Sequence, residues 1–416
     1  MEGPSGHRRA VALRYRDFRL LWLGQFVSTV GSQMFVVAIG YQIYDITRSP
    51  LSLGLLGLCR MLPLLIFALG AGVVADPLDR RRLLLVSQVA LLLLSTGLAL
   101  WAGGARTAVW PIYLVVALAS AACTFEQPAR QAFIPALVPP EHLPNALSLN
   151  VLNWQAATVL GPSLAGVVIA RFGVQTVYWL DAASFLAVIV ALLLLRARPR
   201  TEGRGRVDLK AALEGLRFVR GEPIILSTML LDFAATFFGS ALTLLPLFAE
   251  DILEVGAVGL GLLYAAPSAG AVAAGLIMSA AENIRRQGPL LVWSIVAYGF
   301  CTVLFGLSTH LGVSLLALAG IGAADTVSTV IRNTIRQLCT PDALRGRMVS
   351  VNMLFFMGGP QLGEFEAGVV ARLAGGPFSV WSGGLLCIVA VALIAWRVPQ
   401  LRRYDGAIPV EASSAT

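Results

Sequence analysis

The chain has 416 residues, 57% of them hydrophobic and 13% charged, with a formal net charge of +8. Soluble domains carry about 25% charged residues, so this composition excludes a water-soluble globular protein. The arginine clusters lie beside apolar runs and lack interleaved aromatic residues, which excludes nucleic-acid binding as the reason for the basic balance.

In chain order, the first apolar run covers about 18–44 and follows basic residues, as a secretory signal does. It is too long for one and has no small-residue cleavage site, so it reads as an uncleaved first membrane span. Further runs follow at about 51–75, 83–102, 109–129, 144–170, 176–195, 224–249, 257–281, 289–308, 311–331, 346–371 and 377–397. About 20 helical residues cross a hydrocarbon core of about 30 Å. Backbone groups in lipid must bond internally, so all twelve runs are expected to be α-helices. They divide the chain into a six-helix half (1–195), a linker (196–223), a second six-helix half (224–397) and a polar tail (398–416). The linker opens with a flexible basic stretch, Arg196 to Arg206. Asp208 then caps an amphipathic helix whose Leu209, Leu213, Leu216 and Phe218 face lipid or the bundle, with Lys210, Glu214, Arg217 and Arg220 facing water.

The two halves repeat at an offset of 202 residues. Arg130 matches Arg332, Pro139 matches Pro341, Ser148 matches Ser350, Asn150 matches Asn352, Gly161 matches Gly363 and Gly166 matches Gly368. Internal duplication of a hydrophobic chain points to a transporter working between its halves. With the N-terminus inside, the inner segments hold 26 of the 31 Lys and Arg residues, Arg332 and Arg336 among them. That asymmetry places both termini in the cytoplasm and requires an even number of spans. Cys59, Cys123, Cys301, Cys339 and Cys387 have no metal-ligand spacing and no expected disulfide. His7, His142 and His310 fall in loops or termini, and no Walker loop is present. No catalytic constellation, cofactor or metal site is therefore expected.

Between spans 2 and 3 the chain reads Gly72-Val-Val-Ala-Asp76-Pro77-Leu78-Asp79-Arg80-Arg81-Arg82. This resembles the signature loop of the major facilitator superfamily, a glycine, an aspartate and a basic cluster at the cytoplasmic face. The resemblance implies a gate in which Asp76 neutralises part of the cluster formed by Arg80 and Arg81. Pro77 and Asp79 depart from the family pattern, which usually has a basic residue and often a glycine there. The competing role for such a loop is a plain positive-inside anchor. Span 5 carries Gly161-Pro162-Ser163-Leu164-Ala165-Gly166, which resembles the antiporter element of that family, with Ala165 in place of a glycine. Gly161, Pro162 and Gly166 bend a helix and admit a close neighbour, which also serves an ordinary helix contact. The segments Tyr15–Phe26, Thr47–Pro50, Tyr178–Phe185 and Gln361–Gly368 are similar to the drug and siderophore exporter branch of the superfamily. The resemblance covers nearly the whole chain and implies an all-α membrane protein of twelve transmembrane helices in two pseudo-symmetric halves.

Charges inside spans need a reason, since each costs about 2.5–3.5 kcal/mol at mid-bilayer on insertion scales. Arg60 stands about 15 Å into span 2 at 1.5 Å per residue. Glu364 and Glu366 lie near mid-depth in span 11, about 200° apart around the helix. Arg60 is expected to pair with one of them, either as a coupling site or as a static buried pair. Glu364 aligns with Pro162, so the second half carries a carboxylate where the first has a kink. Asp325, near mid-depth in span 10, is a second carrier candidate, against a bond to a neighbouring Ser or Thr. Asp232 is expected near the inner mouth of a cavity. Glu126, four residues before Arg130, fits a local ion pair at the gate. Asp181 reads as a cap at the outer start of span 6. Gln25, Gln33, Asn153 and Gln155 are candidates for substrate contact, with interhelical hydrogen bonding the competing role.

These observations lead to a secondary transporter and not an enzyme. It is expected to export small amphiphilic organic molecules in exchange for protons, as a monomer in a bacterial inner membrane. A lipid flippase of the same fold and a non-transporting receptor or scaffold are the alternatives.

Overall fold

The computed structural model of the protein describes residues 10–75, 79–104, 108–196, 209–280, 285–341 and 344–406. Among them every regular element is a helix. The first six long helices are α1 (Arg16–Thr47), α2 (Pro50–Ala75), α3 (Arg80–Ala102), α4 (Trp110–Phe133), α5 (Leu143–Phe172) and α6 (Val174–Leu194). A short amphipathic helix, α7 (Leu209–Gly221), follows. The seventh spanning segment is broken. It starts as α8 (Pro223–Phe238), tightens at Ala241–Leu244, returns to α-helix over three residues, α9 (Leu245–Leu247), and ends in a π-turn at Phe248–Ile252. Then come α10 (Gly256–Ala280), α11 (Gln287–Leu307), α12 (Leu311–Leu338), α13 (Arg345–Ala374), α14 (Gly376–Arg397) and the five-residue α15 (Pro399–Arg403).

All twelve apolar runs thus fold as helical segments, as lipid requires of them. Eleven helices among the described residues are both long and apolar enough to cross a membrane. The twelfth, α13, has the length but interrupts its apolar run with Asn352, Gln361, Glu364 and Glu366. Its departure from hydropathy is a first sign that it carries chemistry. α12 runs seven residues past the expected end of its span, so Arg332 and Arg336 are part of the helix.

The chain forms two compact units. Unit 1 holds residues 1–39 and 62–206, and unit 2 holds residues 40–61 and 207–416. In unit 1, α3 packs against both α4 and α6, over a core that includes Phe18, Leu84, Phe133 and Leu192. In unit 2, α10 and α11 pack on α12, and α8 packs on α13. Its core includes Leu231, Ile295, Ile331, Ile335 and Val391. The linker helix α7 docks onto the start of α13, where Val219 is buried with Ile225, Met229, Met348 and Val351. Glu214 adds an ion pair to Arg347. The expected cap Asp208 lies outside the described residues.

Residues 40–61, the end of α1 and the first half of α2, cluster with unit 2 because their small residues allow it. A Cβ on Gly54 would fall 2.9 Å from both the Glu364 carbonyl oxygen and the Gly368 Cα. A Cβ on Gly57 would overlap the Gln361 carbonyl and fall 2.7 Å from Glu364 Cβ. α2 and α13 therefore meet backbone to backbone, as small residues permit between membrane helices.

Candidate functional site

Close approach of α2 to α13 puts Arg60 beside Glu364. Arg60 Nη1 donates to Glu364 Oε1 at 3.3 Å and lies 3.4 Å from Oε2. The two side chains remain 30% and 21% exposed, so the pair is neither sealed nor fully solvated. The expected partner of Arg60 is thus Glu364. Glu366 is half-buried and forms no ion pair among the described residues, in keeping with its different helix face.

The end of α1 adds a second charged contact within unit 2. The Tyr44 hydroxyl donates to Asp251. Arg48 Nη1 lies 3.5 Å from Asp251 and 3.7 Å from Glu250, and its Nη2 lies 3.5 Å from Asp45.

Deeper in unit 2 is a charge cluster that the sequence reading divided wrongly. Asp232 on α8 is 3% exposed and does not line an open mouth. Its Oδ1 lies 3.0 Å from Arg332 Nη1 and its Oδ2 lies 3.5 Å from Arg336 Nη2. Arg332 Nη2 donates to Thr329 Oγ1 at 2.8 Å and reaches Asp325 at 3.5 Å. Arg336 donates to Thr228 Oγ1 and to the Thr228 carbonyl, at 3.0 and 3.1 Å. Two aspartates and two arginines balance, which is how buried charge survives in a low-dielectric interior. Asp325, 48% exposed, is the open end of the cluster. The signal in the sequence was the helical spacing: positions 325, 332 and 336 fall on one face of a continuous helix.

In unit 1 the Glu126–Arg130 pair forms at 3.6 Å, with Gln127 also accepting from Arg130. Asn153 is buried and donates to the Trp22 carbonyl, while Trp22 Nε1 donates to the Leu149 carbonyl. This is interhelical hydrogen bonding between α1 and α5. Gln25, Gln33 and Gln155 are half-buried. Gly161, Pro162 and Gly166 are buried in α5. A Cβ on Gly161 would fall 2.5 Å from Gln33 Cβ and 2.9 Å from the Val30 carbonyl, so α1 lies directly on this element.

Of the loop expected to form a gate, Asp76, Pro77 and Leu78 lie outside the described residues, and Gly72 falls near the end of α2. Asp79, which departs from the family pattern, is the N-cap of α3. Its Oδ1 accepts from the amides of Arg81 and Arg82 at 2.9 and 3.4 Å, satisfying orphan donors of the first turn. Arg81 also donates to the Leu193 carbonyl at 3.0 Å. Arg80 opens α3.

Asp181 is not a cap. Gly173, with φ +80°, is the N-cap of α6, and Asp181 lies about 10 Å further along the helix. It is 1% exposed, and Ser95 Oγ on α3 donates to its Oδ2 at 2.6 Å. Asp181 was already five residues inside the run expected at 176–195, so the cap reading fails on helical position alone.

Among the described residues, eleven helices long and apolar enough to cross a membrane, a twelfth of matching length and small residues at helix contacts define a multi-pass membrane protein. A sequence model of the transmembrane secretion effector family matches residues 10–411. The chain belongs to that family, within the major facilitator superfamily. It is 27% identical over 387 residues to the enterobactin exporter EntS of Shigella boydii serotype 18, covering 93% of each chain. The same figures hold for the enterobactin exporter EntS of Escherichia coli O81. Among solved structures, its fold is similar to a bacterial homologue of the human lysosomal transporter Spinster, with a TM-score of 0.70 at 15% identity over 96% of this chain and 97% of that one. It is also similar to a bacterial homologue of the iron transporter ferroportin, with a TM-score of 0.70 at 15% identity over 94% of this chain and 99% of that one. The expected fold and superfamily are thereby shown, and the protein is a membrane transporter for a small molecule.

Proposed function

We propose that this protein exports a small amphiphilic organic molecule of the siderophore or drug type, by exchange for protons and through alternating access. The observation that carries the coupling is the Arg60–Glu364 pair. A carboxylate and a guanidinium, far apart in the chain, meet inside membrane-spanning helices while both remain partly accessible. Protonation of Glu364 would cancel one charge of the pair and release Arg60, and loss of the proton would restore it. Asp325, the accessible end of the second cluster, is the second carrier in this proposal. The substrate class rests on the full-length similarity to enterobactin exporters. Gln25, Gln33 and Gln155 are the substrate contacts proposed in the first half. Asp76, Arg80, Arg81, Glu126 and Arg130 are proposed to steady the cytoplasmic face. The similarity to bacterial exporters supports a bacterial inner membrane, the arginine distribution supports both termini in the cytoplasm, and a monomer completes the proposal.

The test is solute flux in proteoliposomes loaded with a catecholate siderophore. An imposed pH gradient is expected to drive flux by the wild type, and Glu364→Gln is expected to abolish the gradient dependence while leaving solute binding intact. Flux by the wild type that ignores the gradient would sink proton coupling. Wild-type behaviour of Glu364→Gln would remove Glu364 as the carrier.

A further inference from the structure

We propose that Asp181 is a proton-binding site of the first unit, and that its ionisation acts on α1. The argument begins with burial. Asp181 is 1% exposed in the middle of α6, and its neighbours are hydroxyls. Ser95 of α3 donates to it at 2.6 Å. Its other oxygen, Oδ1, is buried without a hydrogen-bond partner among the described residues. The hydroxyl of Ser184, one turn along α6, is committed to the Asp181 backbone carbonyl at 2.7 Å.

The titratable group that the charge of Asp181 reaches from α4 is the Cys123 thiol. No Arg, Lys or His among the described residues forms an ion pair with Asp181. An ionised carboxylate buried without a counter-charge is strongly unfavourable, whereas a neutral acid carries no charge to desolvate and can itself donate a hydrogen bond. Every other buried carboxylate described above has its own arginine, Glu126 with Arg130 and Asp232 with Arg332 and Arg336. Asp181 differs from them in needing a proton in place of a cation.

The second part of the argument is contact. A Cβ on Gly31 would overlap Ser184 Oγ and fall 3.2 Å from Asp181 Oδ1. The backbone of α1 at Gly31 therefore rests on the carboxyl. A neutral acid donates one hydrogen bond, while a carboxylate only accepts. Loss of the proton removes the carboxyl's one donor and adds a charge beneath α1. α1 is one continuous helix, Arg16–Thr47, whose residues up to 39 cluster with unit 1 and whose remainder clusters with unit 2. The site thus lies under the one helix that contributes to both clusters before the chain first turns. Its role in transport rests on the proton-coupled reading above, whereas the site itself does not.

The experiment is infrared difference spectroscopy on the full-length protein in lipid nanodiscs, between acidic and alkaline buffer. The carboxylic-acid stretching region is expected to hold a band that Asp181→Asn removes and Ser95→Ala shifts. Glu364→Gln is expected to leave that band in place. An acid-minus-alkaline spectrum of Asp181→Asn identical to that of the wild type in this region would overturn the proposal. Should Asp181→Asn fail to fold, the wild-type band is assigned by Ser95→Ala alone, and absence of any carboxylic-acid band in the wild-type difference spectrum overturns the proposal. An unshifted band in Ser95→Ala would do the same. If proton-coupled export fails instead, the Asp181 band persists while wild-type flux ignores the pH gradient, so the two ideas fail separately.

Discussion

Arg130 and Arg332 occupy equivalent places in the 202-residue repeat, yet their surroundings differ. Arg130 pairs with Glu126, one turn away on the same helix, and its side chain is 23% exposed. Arg332 is 3% exposed and pairs with Asp232, contributed by another helix, as well as with Asp325. The same offset equates Asp325 with Cys123 and Asp181 with Gly383. Unit 2 therefore carries its buried acids opposite arginines. Unit 1 has a thiol where unit 2 has Asp325, and puts its isolated acid on α6 among hydroxyls. Duplication preserved the helices, and divergence moved the charges. The two units teach that a repeat in this fold fixes where helices touch and leaves open where protons and ions reside.

The largest effect should come from testing that asymmetry directly. Arg332→Ala leaves Asp232 buried, with Arg336 at 3.5 Å as its remaining cation. Removing one partner of a buried ion pair costs about 3–5 kcal/mol. Arg130→Ala likewise leaves buried Glu126 without its cation, but Arg130 itself is 23% exposed, so the expected loss is the smaller one, about 1–3 kcal/mol. Reversible unfolding in mild detergent is expected to show Arg332→Ala as severely destabilised and Arg130→Ala as destabilised by a smaller amount. Equal losses would mean that the two arginines share one structural task, and the comparison would fall.

How much of this was legible beforehand follows from which signal each residue gives. Hydrophobic length marks lipid-facing helices strongly, so the twelve runs and the isolated charges Arg60 and Glu364 stood out. Glu126 with Arg130 was readable because local pairs obey helical spacing. Arg332 and Arg336 were assigned to an inner segment because the apolar run ends at 331, although α12 continues to Leu338 on the strength of its buried ion pairs. Asp181 lies well inside the run expected at 176–195, and nothing local in the sequence reports the α3 serine that binds it. The end of α1 and the start of α2 cluster with unit 2 through contacts distant in sequence, such as Gly54 with Gly368. No local pattern reports a contact of that kind.

A smaller effect separates the two units by packing rather than charge. Gly57 has no room for a Cβ beside Gln361 and Glu364, whereas nothing lies within 4 Å of one on Gly97 in α3. Overpacking a tight contact costs about 1–3 kcal/mol, and a helical glycine replaced without strain by alanine stabilises by about 0.5–1 kcal/mol. Gly57→Val is therefore expected to lower stability and weaken the Arg60–Glu364 pair, while Gly97→Ala raises stability. A neutral Gly57→Val would show that α2 and α13 can part without loss, and the geometry of the proposed coupling pair would lose its support.

The smallest effect belongs to Arg48, and its value lies in how it responds to salt. Arg48 is 53% exposed among Asp45, Glu250 and Asp251. Exposed pairs contribute about 0.2–1 kcal/mol and are screened by ions. Arg48→Ala should therefore destabilise the protein slightly at low ionic strength and hardly at all in high salt. Arg332→Ala should lose the same amount in both, because no mobile ion reaches a cluster that is 3% exposed at its centre. Measuring both variants across a salt series places the two arginines on one scale of solvent access. If the Arg332→Ala loss also faded with salt, water would reach Asp232, and unit 2 would hold an open charged channel where a sealed ion pair now appears.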